Sequence, residues 1–379
     1  MELIRMNAQD KKTYKQQVDQ YLGFCHKVYQ GNVHYRDSLR QVLRSILLGK
    51  AAICQSSWFQ PILVTENGNV TAVCTLAVVD RLDQLLQITY FEALPHQEKA
   101  VELILQEADR VATQKGIPEI SVGLNFHVNY GLGILTSHHD STQSFGSAYH
   151  PPEYGEYFRP HADRIIHLTS YITNMEQFKL TVSDRLMQRI KQQYTVRKAD
   201  FSNIKKEAQL YTNLNNAIFS DHPFYYPRRV QEDLELFKDF RLFLKPENLL
   251  FLEHQGQAIG FMLWYPDFNQ LIPPGGSVGL STLLKNFFLG SRIRQFKIVE
   301  LGVLPSYQKT GAVLNLFDAC HQLTKGRYQW CEAGWILEEN IASTGFGKRW
   351  ADKPYKKYQV YLLQPTWVQG KEVIHVSDL

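Results

Sequence analysis

The sequence predicts a mixed α/β fold that is built twice along one chain, and a strand-turn-helix junction carries most of this prediction. An apolar run rich in β-branched residues, from Ile298 to Leu304, predicts a buried strand. Pro305 ends the strand because proline has no N–H to donate to the next rung of a sheet. From Gly311 onward, apolar residues recur at helical spacing, so a helix follows after a short turn.

The same unit occurs earlier in the chain, at a constant offset of 210 residues. Between positions 94–116 and 304–326, five of 23 residues are identical, which is more than chance predicts. In the first copy they are Leu94, Pro95, Lys99, Lys115 and Gly116. We interpret this as an ancient duplication. It predicts two similar domains, residues 1–190 and residues 191–379, each long enough to bury its own core.

The other predicted elements follow the same order in both halves. In the first half they are helices within residues 11–49, a hairpin about Asn67-Gly68, a strand at 85–94, a helix at 97–114 and a strand at 117–124. In the second half they are a strand at 194–197, helices at 205–219 and 230–240, a hairpin within 249–264, and the junction. Residues 275–279 and 291–297 predict a flexible loop before the central strand.

Composition and charge exclude several classes of protein. Hydrophobic residues make up 44% of the chain and charged residues 21%, as in globular proteins. The net charge of +4 gives no strong field that favours nucleic acid as a partner. The five cysteines form no C-x-x-C pair and predict reduced thiols in the cytoplasm. The chain lacks a signal core and any apolar run of the ~18–20 residues that span a bilayer, so we expect no membrane partner.

Histidines are concentrated in one stretch of the first half. Residues 127–167 hold six of the chain's 13 histidines, interleaved with tyrosines. Their spacing fits no pattern of paired zinc ligands, so no metal is predicted.

The junction in the second half is suited to an anion. The first N–H groups of a helix lack partners and carry the positive end of the helix dipole, and Gly311 has no side chain to block an approaching phosphate. An ordinary strand-to-helix turn is the alternative. The first half has no glycine at the matching positions 97–102, and Glu98 and Glu102 would repel a pyrophosphate there. We therefore predict that only the second half retains an anion site.

Taken together, these features resemble the GNAT N-acetyltransferase superfamily. The motifs that carry the resemblance are the helix pair, the hairpin, the strand ending in Val303-Leu304-Pro305, the turn Gln308-x-x-Gly311, and residues 335–340 and 355–358. More narrowly, the whole chain resembles bacterial tandem members, in which two such folds share one chain. Residues 90–92, 123–125 and 149–154 fit the degenerate N-terminal unit of that group. The resemblance implies two tandem GNAT-like domains, the first degenerate and the second holding an acyl-CoA site.

The resemblance also implies roles for particular residues. It places the acyl carbonyl near the N–H of Val303 and the pantetheine arm beside Asn340. It places the pyrophosphate on the turn formed by Gln308, Lys309, Thr310, Gly311, Ala312 and Val313. Val313 departs from the family, which has Gly or Ala there. Gly347 departs more seriously, because the family has a tyrosine at this position that protonates the leaving thiolate.

Acyl transfer from a thioester to an amine needs a base, a donor for the oxyanion and an acid. The N–H of Val303 fits the second role if the strand splays there. Glu300 on the same strand is the candidate base, directly or through water; the alternative is a strand carboxylate that faces solvent or pairs with Lys297. Tyr355 and Tyr358 are the candidate acids, and packing in a closing strand is their alternative role.

We therefore expect a cytoplasmic, acyl-CoA-dependent N-acyltransferase. It would transfer an acetyl group from acetyl-CoA, or the acyl group of another acyl-CoA, to a small amine or amino-acid-like acceptor. This family commonly shapes its acceptor site with the segment that corresponds to residues 221–229. The alternative is that these residues form a proline-rich connector. A non-catalytic CoA- or small-molecule-binding protein is one alternative function. An aminoacyl-tRNA-dependent peptidoglycan transferase is another, which the balanced charge disfavours. The oligomeric state stays open.

Overall fold

The computed structural model describes residues 1–369, which form two compact units. Unit 1 comprises Met1–Leu168, Pro274–Ser277 and the chain from Lys357 onward; unit 2 comprises Thr169–Pro273 and Val278–Lys356. The boundaries of these units differ from those of the predicted domains, 1–190 and 191–379. Residues 169–190 belong to unit 2, and most of the last strand belongs to unit 1.

The first half of the chain contains all the predicted helices and strands, together with further short elements. In order they are β1 (Glu2–Arg5), α1 (Lys11–Val28), α2 (Arg40–Leu47), β2 (Ser57–Glu66), β3 (Asn69–Val79), β4 (Leu85–Ala93), α3 (Glu98–Lys115), β5 (Glu119–Val122), β6 (Ile134–Leu135), α4 (Glu153–Phe158) and β7 (Arg164–Asn174). Asn67 and Gly68 both have positive φ, as the predicted hairpin turn requires.

The second half repeats this series with insertions. In order it has α5 (Asp184–Gln193), β8 (Tyr194–Lys198), α6 (Ile204–Ile218), α7 (Val230–Phe240), β9 (Leu249–His254), β10 (Gln257–Pro266), α8 (Leu280–Leu289), β11 (Gln295–Val303), α9 (Ala312–Thr324), β12 (Trp330–Leu337), α10 (Ile341–Trp350), β13 (Lys353–Leu363) and α11 (Thr366–Gln369). The bounds of β4 and β11 differ by the predicted offset of 210 at both ends.

Unit 1 has the strand order β1-β2-β3-β4-β5-β13. The first four strands are antiparallel neighbours, β4 and β5 are parallel, and β5 pairs antiparallel with β13. Alternate residues of a strand face opposite sides of a sheet. Accordingly, Ile62 and Val64 pack in the α3 core, whereas Leu63 packs with α1 and α2.

Unit 2 repeats the order as β8-β9-β10-β11-β12, with β7 beside β12. Its strands β8 to β11 are antiparallel neighbours, and β11 and β12 are parallel. Helices α6 and α7 cover one face of the sheet, where Phe251 and Phe261 are buried. Each unit therefore takes its sixth strand from the other half of the sequence.

Two helices of unit 2, α5 and α8, lie outside the predicted elements. Helix α5 buries only Ile190. Helix α8 belongs to an insertion, because residues 80–84 join β3 to β4 whereas residues 267–294 join β10 to β11. The prediction of a loop over 291–297 is wrong at its end, since β11 begins at Gln295 and buries Phe296.

Candidate functional site

The central strands of unit 2 separate near the start of α9. Among the described residues, β11 and β12 pair in parallel only as far as Ile298 and Ala333. Both strands continue, β11 to Val303 and β12 to Leu337. A gap therefore opens between the ends of these two strands.

The backbone N–H of Val303 points toward this gap. The next N–H, that of Leu304, donates to the carbonyl oxygen of Ile259 at 2.8 Å, on the β10 side. Because successive N–H groups of a strand point to opposite sides, the N–H of Val303 points away from β10, toward the gap. This is the geometry that an oxyanion donor at Val303 requires.

The start of α9 presents free donors beside this gap. Within residues 1–369, the backbone N–H groups of Lys309, Thr310, Gly311 and Val313 make no hydrogen bond. The N–H of Ala312 is bound by the Thr310 hydroxyl at 3.3 Å. These donors, the positive helix end and the ammonium of Lys309 together fit a pyrophosphate.

Gly311 makes the close approach possible. Its φ of 83° lies in the left-handed region, and a Cβ there would stand 3.1 Å from Cδ1 of Ile190 on α5. The side chains of Gln308, Lys309 and Thr310 are exposed, and that of Val313 is half-buried.

In unit 1, tyrosines of α4 accept hydrogen bonds from two backbone N–H groups of the corresponding junction. The N–H of Ala93, the counterpart of Val303, donates to Oη of Tyr154 at 2.7 Å. The N–H of Gln97 donates to Oη of Tyr157 at 3.2 Å. Glu98 adds a carboxylate at the start of α3. The capped N–H of Ala93 and the carboxylate of Glu98 distinguish this junction from that of unit 2, which fits a degenerate first unit.

Glu300 lies on β11 in a pocket of polar side chains. The hydroxyl of Tyr211 on α6 donates to it at 2.6 Å, and Nη2 of Arg228 stands 3.8 Å away. Its side chain is 17% exposed. Burial raises the pKa of Glu300, and the charge of Arg228 and the Tyr211 hydrogen bond oppose this rise. A carboxylate with a raised pKa suits a general base.

Arg228 holds the loop after α6 against this carboxylate. Its side chain is only 2% exposed and stands 2.8 Å from Oδ1 of Asp233, which also accepts from the hydroxyl of Thr212 at 2.6 Å. The guanidinium also lies over the ring of Tyr211, 5.1 Å from its centroid. The structure therefore brings the predicted acceptor segment 221–229 to Glu300. The partners of Glu300 are therefore Tyr211 and Arg228. The buried Lys297 instead interacts electrostatically with Glu332 and Asp267.

The other predicted site residues are dispersed. Asn340 is exposed and directly precedes α10, where its carbonyl accepts from the N–H of Thr344 at 2.9 Å. Tyr355 is half-buried, with Nζ of Lys356 5.1 Å from its ring centroid. Tyr358 belongs to unit 1, is fully buried, and pairs with Leu135 of β6. Its placement fits packing better than proton transfer.

The space beside Gly347 is filled by another tyrosine. A Cβ at Gly347 would stand 2.8 Å from Cζ of Tyr171, a β7 residue of unit 2. Burial raises the pKa of Tyr171, so its phenol keeps its proton at neutral pH. Within residues 1–369 its hydroxyl makes no hydrogen bond. Tyr171 therefore places a phenol beside the position where the resembling family carries one.

Comparison with known proteins identifies the fold. Over 96% of its length the chain matches a tandem GNAT protein from the clavulanic acid biosynthesis pathway, 98% of which is covered, with a TM-score of 0.50 and 11% identity. The chain has the tandem GNAT fold. A GCN5-related glucosamine N-acetyltransferase region of a fungal multi-domain β-N-acetylglucosaminidase matches 96% of the chain, with a TM-score of 0.53 and 13% identity, and 38% of that protein is covered. The predicted pair of GNAT-like units in a mixed α/β architecture is thereby confirmed.

A sequence comparison adds one relative of known name. The bacterial ceramide synthase of Caulobacter vibrioides (strain NA1000 / CB15N) is 26% identical over 181 residues. The match covers 44% of this chain, and the chain spans about 45% of that relative's length. No protein-family model matches the chain.

The sequence analysis did not single out Tyr211 or Tyr171 of the candidate site in unit 2, and it included Arg228 only as part of the segment 221–229. Tyr211 and Arg228 reach Glu300 from α6 and from the loop that follows it, and nothing in their local sequence shows this. Gly347 was a usable signal in the sequence, because the absence of the expected tyrosine at this position indicates that another residue supplies the phenol. Only the fold could show that Tyr171 is the residue beside it.

Proposed function

We propose that the protein is an acyl-CoA-dependent N-acyltransferase whose cofactor site lies in unit 2. The acyl donor is acetyl-CoA or another acyl-CoA, and the acceptor is a small amine or amino-acid-like molecule. The free N–H groups at the start of α9 carry the proposal, together with the N–H of Val303, whose counterpart in unit 1, the N–H of Ala93, is capped by Tyr154.

Each group of the site has a role in this proposal. A bound acyl-CoA supplies an activated thioester. Lys309, Gly311 and the neighbouring N–H groups hold its pyrophosphate, and Asn340 lies beside its pantetheine arm. The N–H of Val303 stabilises negative charge on the carbonyl oxygen. Glu300 takes a proton from the amine, and Tyr171, rather than Tyr355 or Tyr358, supplies one to the leaving thiolate.

The duplication offers a matched test of the cofactor site. Lys309 and Lys99 are exposed lysines at equivalent positions, offset by 210, at the starts of α9 and α3. Lys309→Glu places a carboxylate beside the proposed pyrophosphate, so we expect acetyl-CoA affinity to fall by at least about tenfold. Lys99→Glu should leave the affinity unchanged. Calorimetry and thermal shift with acetyl-CoA measure both, and equal losses in the two variants would contradict the assignment.

Glutamate substitutions at Gly311 and at its counterpart Val101 would be less suitable tests. Val101, the counterpart of Gly311, is buried in the α3 core, so a glutamate there would test folding rather than binding. A glutamate at Gly311 would also strain a left-handed backbone.

The match to a ceramide synthase favours a second candidate, a longer acyl donor or a long-chain amine acceptor. A ceramide is an N-acylated long-chain base, so the name of that relative agrees with amide formation. Thiol release should be followed with acetyl-CoA and with long-chain acyl-CoA, each against short and long-chain amines. Binding without thiol release for any pair would favour the non-catalytic alternative.

The five free cysteines support a reducing, cytoplasmic setting.

A further inference from the structure

Helix α8 turns its apolar side outward. Four of its side chains, at positions i, i+4, i+7 and i+8, are largely exposed: Leu280 (74%), Leu284 (55%), Phe287 (82%) and Phe288 (72%). The opposite side holds polar groups. Thr282 is buried, and Nζ of Lys285 donates to the carbonyl of Leu271 at 3.3 Å. A surface helix of a globular protein normally has the reverse arrangement.

The insertion that carries this helix is also one-sided in charge. Residues 268–299 contain no aspartate or glutamate, whereas they contain Lys285, Arg292, Arg294 and Lys297. Arg292 and Arg294 are exposed and directly follow the helix. Unit 1 has only residues 80–84 at the corresponding place. The apolar side and the basic flank therefore arise together, in one copy of the duplicated fold.

We propose that α8 docks on an anionic lipid surface. Leu284, Phe287 and Phe288 enter the boundary between headgroups and acyl chains, while Arg292 and Arg294 contact the acidic headgroups. The helix lies on the surface and does not cross it. Its ten residues extend over about 15 Å, and no helix of the described residues could span a bilayer. This differs from the sequence-based expectation of no membrane partner, which considered spanning segments only.

Charge selects lipid over a second copy of this chain. Two copies that met through α8 would bring Arg292 and Arg294 of one copy toward the same residues of the other, with no exposed carboxylate in either insertion to compensate, since Asp267 is buried. An anionic lipid surface provides that compensation. The proposal does not depend on catalysis.

Vesicle sedimentation tests the proposal on the full chain. Vesicles of phosphatidylcholine mixed with phosphatidylglycerol should bind the protein more tightly than vesicles of phosphatidylcholine alone, and added salt should weaken the binding. Phe287→Ser/Phe288→Ser should lower the partition coefficient at least about tenfold. Arg292→Gln/Arg294→Gln should remove the preference for the anionic vesicles. Because these residues are exposed, thermal unfolding should be unchanged in all variants.

The control is Leu242→Ser, which removes another exposed leucine of unit 2, one that is 66% exposed and lies outside α8. It should change the partition coefficient by no more than about twofold. Absence of binding to either vesicle, or an equal loss in the Leu242 variant, would overturn the proposal. So would a concentration-dependent dimer in light scattering that the double phenylalanine variant abolishes, since a second copy would then be the occupant.

Discussion

Glu300 shows how neighbouring side chains set the ionisation of a candidate base. Burial favours the neutral acid, whereas the hydroxyl of Tyr211 and the charge of Arg228 favour the carboxylate. Arg228 is itself balanced by Asp233 at 2.8 Å. Removing Arg228 would leave two acidic groups facing each other, with a large cost in stability. Tyr211 is therefore the better residue to change.

We predict that Tyr211→Phe moves the acidic limb of the pH–rate profile to higher pH. The base works when deprotonated, and loss of a donor to the carboxylate raises its pKa further. A hydrogen bond to a charged group contributes about 1.5–3 kcal/mol, so the limb should shift by about one to two pH units. The measurement is kcat/KM against pH.

Two further variants make that measurement specific. Glu300→Gln should abolish the limb and lower the rate by about 10²-fold or more. Tyr14→Phe removes a tyrosine hydrogen bond in unit 1, to the carbonyl of Leu47, and should leave the profile unchanged. A Tyr211→Phe profile identical to that of the unaltered protein would exclude Glu300 as the base.

Tyr171 makes a separate prediction about the acid. Tyr171→Phe keeps the ring and removes the proton, so kcat should fall by about 10²-fold while acetyl-CoA affinity is retained. The basic limb of the profile should also disappear. Gly347→Ala alone should destabilise unit 2, since its Cβ would stand 2.8 Å from the Tyr171 ring.

A rescue distinguishes proton transfer from packing at this position. In the double variant Tyr171→Ala/Gly347→Tyr, the new tyrosine on α10 places a phenol in the space that the removed ring of Tyr171 had filled. Part of the activity that Tyr171→Ala loses should be regained, and Tyr171→Ala/Gly347→Phe should regain none. If both double variants behave alike, Tyr171 is a packing residue.

At the scale of elements, the two copies of the strand-turn-helix junction differ in the hydrogen-bond partners of their backbone N–H groups. The helices α3 and α9 both follow a strand and a proline turn. In unit 1, tyrosine hydroxyls from α4 take the N–H groups of Ala93 and Gln97. In unit 2, Val303 and residues 309–311 keep their donors free for a ligand. Helix α4, which supplies both tyrosines, therefore distinguishes the capped junction of unit 1 from the uncapped junction of unit 2.

Elements whose burial follows a regular period could be predicted from sequence. The predicted bounds of helices α3 and α6 are within one residue of the observed ones, since each helix buries one consistent side, and the hairpin turn at Asn67 is also as predicted. Helix α8 was missed although its apolar residues recur at helical spacing, and the sequence could not show that this side faces outward. The open turn at Gly311 could be predicted from glycine and charge alone, whereas the contacts of Glu300 depend on distant parts of the chain.

At the scale of the whole molecule, the last strand raises the question of where the units divide. Residues 357–363 of β13 belong to unit 1, where Tyr361 pairs with Val122 and packs in the α3 core. Trp367 also donates from its indole to the carbonyl of Ile117 at 3.2 Å. The sequence offset could not reveal this, because an exchange of end strands leaves the internal repeat unchanged.

We predict that residues 1–190 do not fold stably alone, whereas residues 1–168 joined by a flexible linker to residues 357–369 do. The appended strand restores buried Val360 and Tyr361, and each such side chain contributes about 1.5–3 kcal/mol. Urea unfolding of the two fragments measures the difference. The same fusion carrying Val360→Asp should lose the gain, because an unpaired carboxylate would be buried in the core. Equal stability of fragment 1–190 and the fusion would instead support a single division at residue 190.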